Sequence, residues 1–240
     1  MTLDQIVASL FPHGCNVRNN RGVVTGFGKL ESGDIALLIG LSGRTALGVD
    51  EAIRLSGHVL ASLETGAGPI LVIVDSDSQR MSKRDELLGL SEFISHLAKT
   101  LIYADLRGRP TIGLLYGHSA AGAFLGTALA TRVLVSLPGG DPAVMDLPSM
   151  SKVTKLPLPV LEQKAKSTPV FAPGLANLAQ TGAVLATWDE TQPLHEQLQG
   201  LLEQLPDARD TRDVLGKRRG GRLQAADIAE RVHAAALQSR

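Results

Sequence analysis

The chain has 240 residues, with 24 Lys plus Arg balanced by 24 Asp plus Glu, 44% hydrophobic residues, 3% aromatics and one cysteine. The charge balance excludes a general attraction to nucleic acid or to an anionic membrane, and the scarcity of aromatics argues against stacking platforms for bases or sugars. With no net charge to attract one, a partner has to be recognised by shape; Cys15 has no partner for an internal disulfide and no thiol neighbours for a zinc site.

The N-terminus carries Asp4 and no basic region, and no apolar run approaches the ~20 residues of a membrane span; a cytoplasmic protein is expected. A short helix is predicted over 3–10, stopped by Pro12 and Gly14. Segments 21–30 and 34–39 predict strands joined as a hairpin by Glu31-Ser32-Gly33, with a polar, glycine-rich loop over 40–48. From Val49 the period becomes helical: Asp50 and Glu51 suit a first turn, and Ile53, Val59, Leu60 and Leu63 share a face. The run ILVIV at 70–74 predicts a strand covered on both faces, and DSDSQRMSK at 75–83 a polar loop at its end. Ser82, three residues before Asp85, opens a single long helix in which Leu87, Leu90, Ile94, Leu97 and Leu101 keep one face.

The most compressed stretch is PTIGLLYGHSAAGAFLGTALA at 110–130: a buried strand over 111–116, a tight turn at Gly117 and a helix of small residues from Ala120. Strands follow at 132–136, 143–147 and 183–188, with short proline-separated helices between them. Helices at 192–205 and 223–237 are joined by the charged loop DARDTRDVLGKRRGG. Alternation of strand and helix between 34 and 136 demands parallel strands with right-handed crossovers. The expected organisation is one α/β domain over 1–190 with a helical C-terminal extension over 191–240.

The segment GHSAA at 117–121 comes close to the nucleophile elbow G-x-S-x-G, which would make Ser119 the nucleophile of a serine hydrolase. Its triad would have to be completed by His195, six residues after Asp189, or by His233. The same turn can act through its backbone instead. A helix that opens at a strand end aims N–H groups and the positive end of its dipole at whatever lies beyond. Gly117 permits the sharp exit, Ala120 and Ala121 leave space, and Gly122 allows close approach. One such donor to a developing oxyanion contributes roughly 3–4 kcal/mol. Small residues that merely let helix and sheet pack closely are the competing explanation.

His118 either donates a proton or shapes the turn. In an open parallel sheet ligands collect at the carboxyl ends of the strands, so the loop after Val74 is expected beside 117–122, with Ser78, Gln79 and Arg80 as substrate contacts or as solvated residues. Asp75 and Asp77 lack an evident third ligand for a metal, and KRRGGR at 217–222 is either a phosphate contact or solvated surface.

Taken together, RGVVTGFGKLESGDIALLIG, PILVIVDSDSQ and LLYGHSAAGAFLGTALATRVLVSLP resemble the carboxyltransferase α-subunit family of the crotonase superfamily over residues 20–190. That family has a V-T-G hairpin, a V-D-T-P-G-like loop and a G-E-G-G-S-G-G turn; Val24-Thr25-Gly26, Val74-Asp75, and Gly117 with Gly122 occupy the corresponding places. Ser76-Asp77-Ser78 replaces T-P-G and His118-Ser119-Ala120-Ala121 replaces the acidic and glycine positions, departures that tell against biotin handling. The whole pattern is most similar to the γ subunits of biotin-independent malonate decarboxylase.

The resemblance implies a ClpP/crotonase-like spiral of β-β-α units and a heterodimer with a homologous β subunit. It implies that malonyl arrives as a thioester on the phosphopantetheine-type arm of an acyl carrier protein and loses CO₂ to leave acetyl thioester. No metal or cofactor bound by this chain, no nucleic acid and no membrane belong to that picture. Catalysis is carried over to Gly117, His118, Ser119, Ala120, Ala121 and Gly122, through backbone amides. Ser76, Asp77, Ser78 and Gln79, with Pro148, Ser149 and Met150, are placed along the substrate wall. A biotin-dependent carboxyltransferase half, a serine hydrolase and a non-catalytic structural subunit are the alternatives.

Overall fold

A computed structural model describes residues 1–170, 172–206 and 209–238. The chain opens with helix α1 (Leu3–Leu10), started by a reciprocal cap in which Thr2 Oγ1 accepts the Gln5 N–H and Gln5 Oε1 accepts the Thr2 N–H. Strands β1 (Cys15–Asn20), β2 (Val23–Lys29) and β3 (Ile35–Leu41) form an antiparallel meander. The first of these carries no apolar alternation and escapes a sequence reading, because CNVRNN is a polar edge strand in which only Val17 packs on the core.

Helix α2 (Val49–Ser62), strand β4 (Ile70–Val74), helices α3 (Lys83–Leu88) and α4 (Leu90–Leu106), and strand β5 (Thr111–Leu115) come next. The single helix expected across this region is broken at Gly89, whose φ of +85° ends α3 and turns the chain. Leu87 therefore leaves the shared apolar face and is 77% exposed.

After β5 the chain forms the three-residue strand β6 (His118–Ala120), the six-residue helix α5 (Ala121–Gly126), a 3₁₀ turn (Ala128–Ala130), β7 (Val133–Ser136) and β8 (Asp141–Ala143). Two expectations are corrected here. The helix does not open at the strand end, since β6 intervenes, and α5 is too short to develop a substantial macrodipole. The strand expected over 143–147 is instead β8, which ends at Ala143 because Asp146 caps the following helix with its side chain on the Ser149 N–H. Helices α6 (Leu147–Thr154), α7 (Leu158–Ala165) and α8 (Leu175–Gln180), strand β9 (Ala186–Thr187), and helices α9 (Leu194–Glu203), α10 (Arg212–Arg218) and α11 (Ala225–Gln238) complete the chain.

Among the described residues the main sheet runs β1-β2-β3-β4-β5-β7-β9, parallel from β3 onward, while β6 and β8 pair in parallel as a separate layer. Each of β5 and β7 thus continues into a short strand of the second layer and then into a helix. This β-β-α step is what carries residues 117–122 beyond the sheet. Alternate residues of the central strands feed two cores, one on each face. Leu37, Ile39, Ile70, Val72 and Leu115 pack with α2 and α4, whereas Leu38, Leu71, Ile73, Ile112 and Val135 pack with α1 and Trp188.

Part of the chain beyond residue 190 packs on the main core. Leu194 and Leu198 of α9 are buried in the same cluster as Ile6 and Leu10, and Ser9 Oγ accepts the Leu194 N–H. The charged segment expected to be a loop contains α10; Asp207 and Ala208, at its head, lie outside the described residues. Two of the four basic residues in its run KRRGGR are occupied internally. The Arg219 guanidinium donates to the Ala179, Val184 and Leu185 carbonyls, and Lys217 pairs with Asp227. No described helix is long and apolar enough to cross a membrane.

Candidate functional site

The site begins with register. Val74 pairs with Leu115, so β4 and β5 end at one level and the loops that follow them emerge side by side. Asp75 ties these loops together: its Oδ2 accepts the Gly43 N–H at 2.9 Å and its Oδ1 accepts the His118 N–H at 3.1 Å. Gly117 is required at this crossing, because a Cβ there would lie 2.3 Å from Asp75 Oδ1. The neighbouring Tyr116 phenol is pushed well above its usual value by burial and, secondarily, by the Asp75 charge, so it stays protonated through the ordinary pH range.

Ser76 and Ser119 are fully buried and face each other, Oγ to Oγ, at 3.0 Å, while the Ser76 N–H donates to the His118 carbonyl at 2.7 Å. Successive side chains of a strand point to opposite faces. Ser119 therefore points into the protein, and His118, its neighbour in β6, points away from it. That geometry removes the serine hydrolase: His118 cannot activate Ser119, and the serine has no exposure to a substrate. His195 is engaged elsewhere, with Nδ1 3.1 Å from the Ser9 carbonyl and Nε2 3.2 Å from Glu31.

The six residues of the turn differ in what their amides do. The Asp141 N–H donates to the Gly117 carbonyl, so Gly117 and, two residues on, Ser119 direct their backbone groups toward β8. His118 and Ala120 direct theirs the other way, toward the loop of Asp75 to Gln79; the His118 amide is taken by Asp75. Ala121 adopts a φ of +48°, a left-handed conformation that strains a residue with a Cβ. The Gly122 N–H donates to the side-chain carbonyl of Gln79, Oε1, at 2.9 Å.

Gln79 is itself pinned from behind. Leu47 pairs with it, the Leu47 N–H donating to the Ser78 carbonyl and the Arg80 N–H to the Leu47 carbonyl. The Arg80 guanidinium lies 2.7 Å from Glu51, and its pKa is raised first by that bond. Gln79 and Gly122 stand at one end of a cavity of about 310 Å³ that runs between α4 and α5 past Leu90, Ile94 and Leu125.

Asp77 is exposed, and the Ser78 hydroxyl turns onto the Gln79 carbonyl. Pro148, Ser149 and Met150 lie on α6, and Met150 faces a second cavity, about 460 Å³, with Leu129, Val144 and Leu178. Among the described residues no group of three His, Cys, Asp or Glu side chains converges as a metal site would require.

Comparison with known proteins settles the family. The family described as malonate decarboxylase gamma subunit (MdcE) matches residues 42–236, well over half of the chain. The chain belongs to the malonate decarboxylase gamma-subunit family.

This gamma-subunit family member is 28% identical over 200 residues to the malonyl-S-ACP:biotin-protein carboxyltransferase MADD of Malonomonas rubra, covering 74% of this chain and 68% of that protein. Its fold is similar to a chain of a Pseudomonas malonate decarboxylase hetero-tetramer solved with coenzyme A, with a TM-score of 0.77, 22% identity and coverage of 98% and 99%. A chain of the Pseudomonas MdcD-MdcE hetero-dimer gives a TM-score of 0.76 at 20% identity, again over 98% and 99%. A transcarboxylase 12S chain gives 0.70 at 15% identity over 85% of this chain and 41% of that one. The fold is the crotonase-like carboxyltransferase fold.

Within this family member, sequence reasoning passes over Asp141, which sits 2.8 Å from the His118 ring. No local signal points to it, since the pairing depends on the β6–β8 register.

Proposed function

We propose that this decarboxylase subunit completes its active cleft only with a homologous β subunit. There it stabilises the enolate formed when malonyl, held as a thioester on an acyl carrier protein, loses CO₂. Decarboxylation leaves an electron pair at the α-carbon, and the thioester oxygen is where that charge must go.

The observation that carries this reading is the Gly122 N–H, which already holds a carbonyl oxygen, that of Gln79, at 2.9 Å beside an open cavity. A thioester oxygen is an acceptor of the same kind, and it gains negative charge as the reaction proceeds. The short α5 contributes through this directed hydrogen bond rather than through a macrodipole. The Ala120 N–H, facing the same loop, is the second donor in this reading, and Gly117 sets the level of both.

The partner assignment is supported by the Pseudomonas MdcD-MdcE hetero-dimer, a chain of which has the same fold. The carrier-bound substrate is supported by the malonyl-S-ACP named for the Malonomonas rubra relative. Co-expression with a β-like chain, followed by CO₂ release from malonyl carrier protein, tests the proposal. The pair should release CO₂ and this chain alone should not.

The name of that relative also favours a second reading, transfer of the carboxyl group to a biotin protein. Adding biotinylated carrier to the same assay separates the two. Decarboxylation gives free CO₂ whether or not biotin is present, while a carboxyltransferase requires biotin and leaves the carboxyl group on it.

A further inference from the structure

The enolate must take up a proton at its α-carbon to become acetyl thioester, and the amides at Gly122 and Ala120 cannot supply it. We propose that His118, positioned by Asp141, delivers that proton.

The β6–β8 register pairs His118 with Asp141 and Ala120 with Ala143, and paired residues of adjacent strands project from the same face. This face therefore carries one imidazole and one carboxylate over a floor of two methyl groups, while Ser119 and Pro142 turn inward and are buried. His118 Nδ1 lies 2.8 Å from Asp141 Oδ2. An ionised carboxylate can only accept, so Nδ1 carries the hydrogen and Nε2 is left as the atom that exchanges protons.

The ring is placed by its own backbone as well. The His118 N–H is fixed on Asp75 and its carbonyl on the Ser76 N–H, so its Cα cannot drift. Its side chain is 20% exposed, so part of the ring is open to a molecule outside the fold. Asp141 of β8 is the carboxylate at the ring itself, while Asp75, from the end of β4, holds the backbone N–H behind it.

The step balances without a co-reactant. The bond from the α-carbon to the carboxylate breaks and CO₂ departs. The electron pair enters the α-carbon to carbonyl-carbon bond, and the thioester oxygen takes the charge. That pair then forms a new C–H bond with the hydrogen of the imidazolium Nε2, leaving a neutral imidazole that solvent reprotonates. Asp141 is a positioning residue, holding the ring in the tautomer that presents Nε2.

This role rests on the enolate reading above, and one experiment separates them. The assembled heteromer is given malonyl carrier protein to follow CO₂ release. Separately it is given acetyl carrier protein in D₂O to follow exchange of the acetyl hydrogens, which needs enolate formation and proton transfer but no CO₂. The wild-type pair should do both. His118→Gln should lower exchange by about 10²-fold or more, the scale of general acid–base catalysis, and lower CO₂ release with it. Asp141→Asn should lower kcat at unchanged KM, and Asp141→Glu should recover most of it, a split that a merely structural role would not produce. An assembled His118→Gln heteromer that exchanges and decarboxylates like wild type overturns the role of His118 alone. A wild-type heteromer that neither exchanges nor releases CO₂ overturns the enolate reading and the proposal with it.

Discussion

Gln79 Oε1 sits 2.9 Å from the Gly122 N–H, joining the loop after β4 to the first turn of α5 through a side-chain carbonyl rather than a backbone one. A side chain can leave by rotating about its own bonds, whereas a backbone carbonyl is fixed by its strand. The donor is thus held ready, and exchanging one carbonyl oxygen for another requires no rearrangement of the fold.

If Gln79 competes with substrate at this amide, removing it should tighten binding. A net hydrogen bond is worth about 1 kcal/mol, so Gln79→Ala should lower KM for malonyl carrier protein about fivefold. The check is steady-state kinetics of the assembled heteromer. A raised KM would mean that Gln79 assists binding instead.

The buried Ser76–Ser119 pair predicts a non-additive cycle. Removing either hydroxyl leaves the other without its partner in the interior, at a cost of about 1–3 kcal/mol, whereas removing both is nearly neutral. Urea unfolding of Ser76→Ala, Ser119→Ala and the double variant measures this. A fluorophosphonate probe should leave the folded protein unlabelled.

Ala121 and Gly117 respond in opposite directions to a change of one methyl group. Ala121 has a φ of +48°, so Ala121→Gly relieves roughly 1–2 kcal/mol of left-handed strain. Glycine returns roughly 0.5–1 kcal/mol in chain entropy. The variant should therefore be more stable by about 0.5–1 kcal/mol, with activity retained. Gly117→Ala drives a Cβ to 2.3 Å from Asp75 Oδ1 and should lower both the melting temperature and CO₂ release.

Acid should loosen the packing of α10. Arg212, donating to Asp210 at 2.6 Å and to the Leu129 carbonyl at 2.8 Å, holds the Asp210 carboxyl below its usual 3.8. A carboxylate with a depressed folded-state pKa stabilises the fold above its unfolded value, and that contribution is lost as pH falls through the folded one. Wild type should therefore melt higher than Asp210→Asn at pH 6, with the gap closing as pH falls below 3.8 through the depressed folded value.

Much of this fold could be read from residue patterns, for identifiable reasons. The run ILVIV becomes β4 because continuous β-branched residues suit a strand buried on both faces, and Ser82 caps α3 as its spacing with Asp85 predicts. The misses share a different cause. Gly89 could have been tolerated within a helix, and only packing decides that it ends one. The strands β6 and β8 have three residues each, too few for periodicity to register, and they exist because each completes the other. The same holds for the site. The glycines and small residues of 117–122 announce close approach, but the occupancy of the Gly122 amide, the inward turn of Ser119 and the pairing of His118 with Asp141 arise from register between distant segments.

The most direct measurement removes a single hydrogen from the backbone. Replacing Gly122 by glycolic acid turns its amide into an ester and deletes the N–H while leaving every side chain in place. In the assembled heteromer, kcat for CO₂ release should fall by about 10²–10³, the scale of losing one oxyanion donor. An intact heteromer that releases CO₂ at the wild-type rate would contradict the assignment of that charge to this turn.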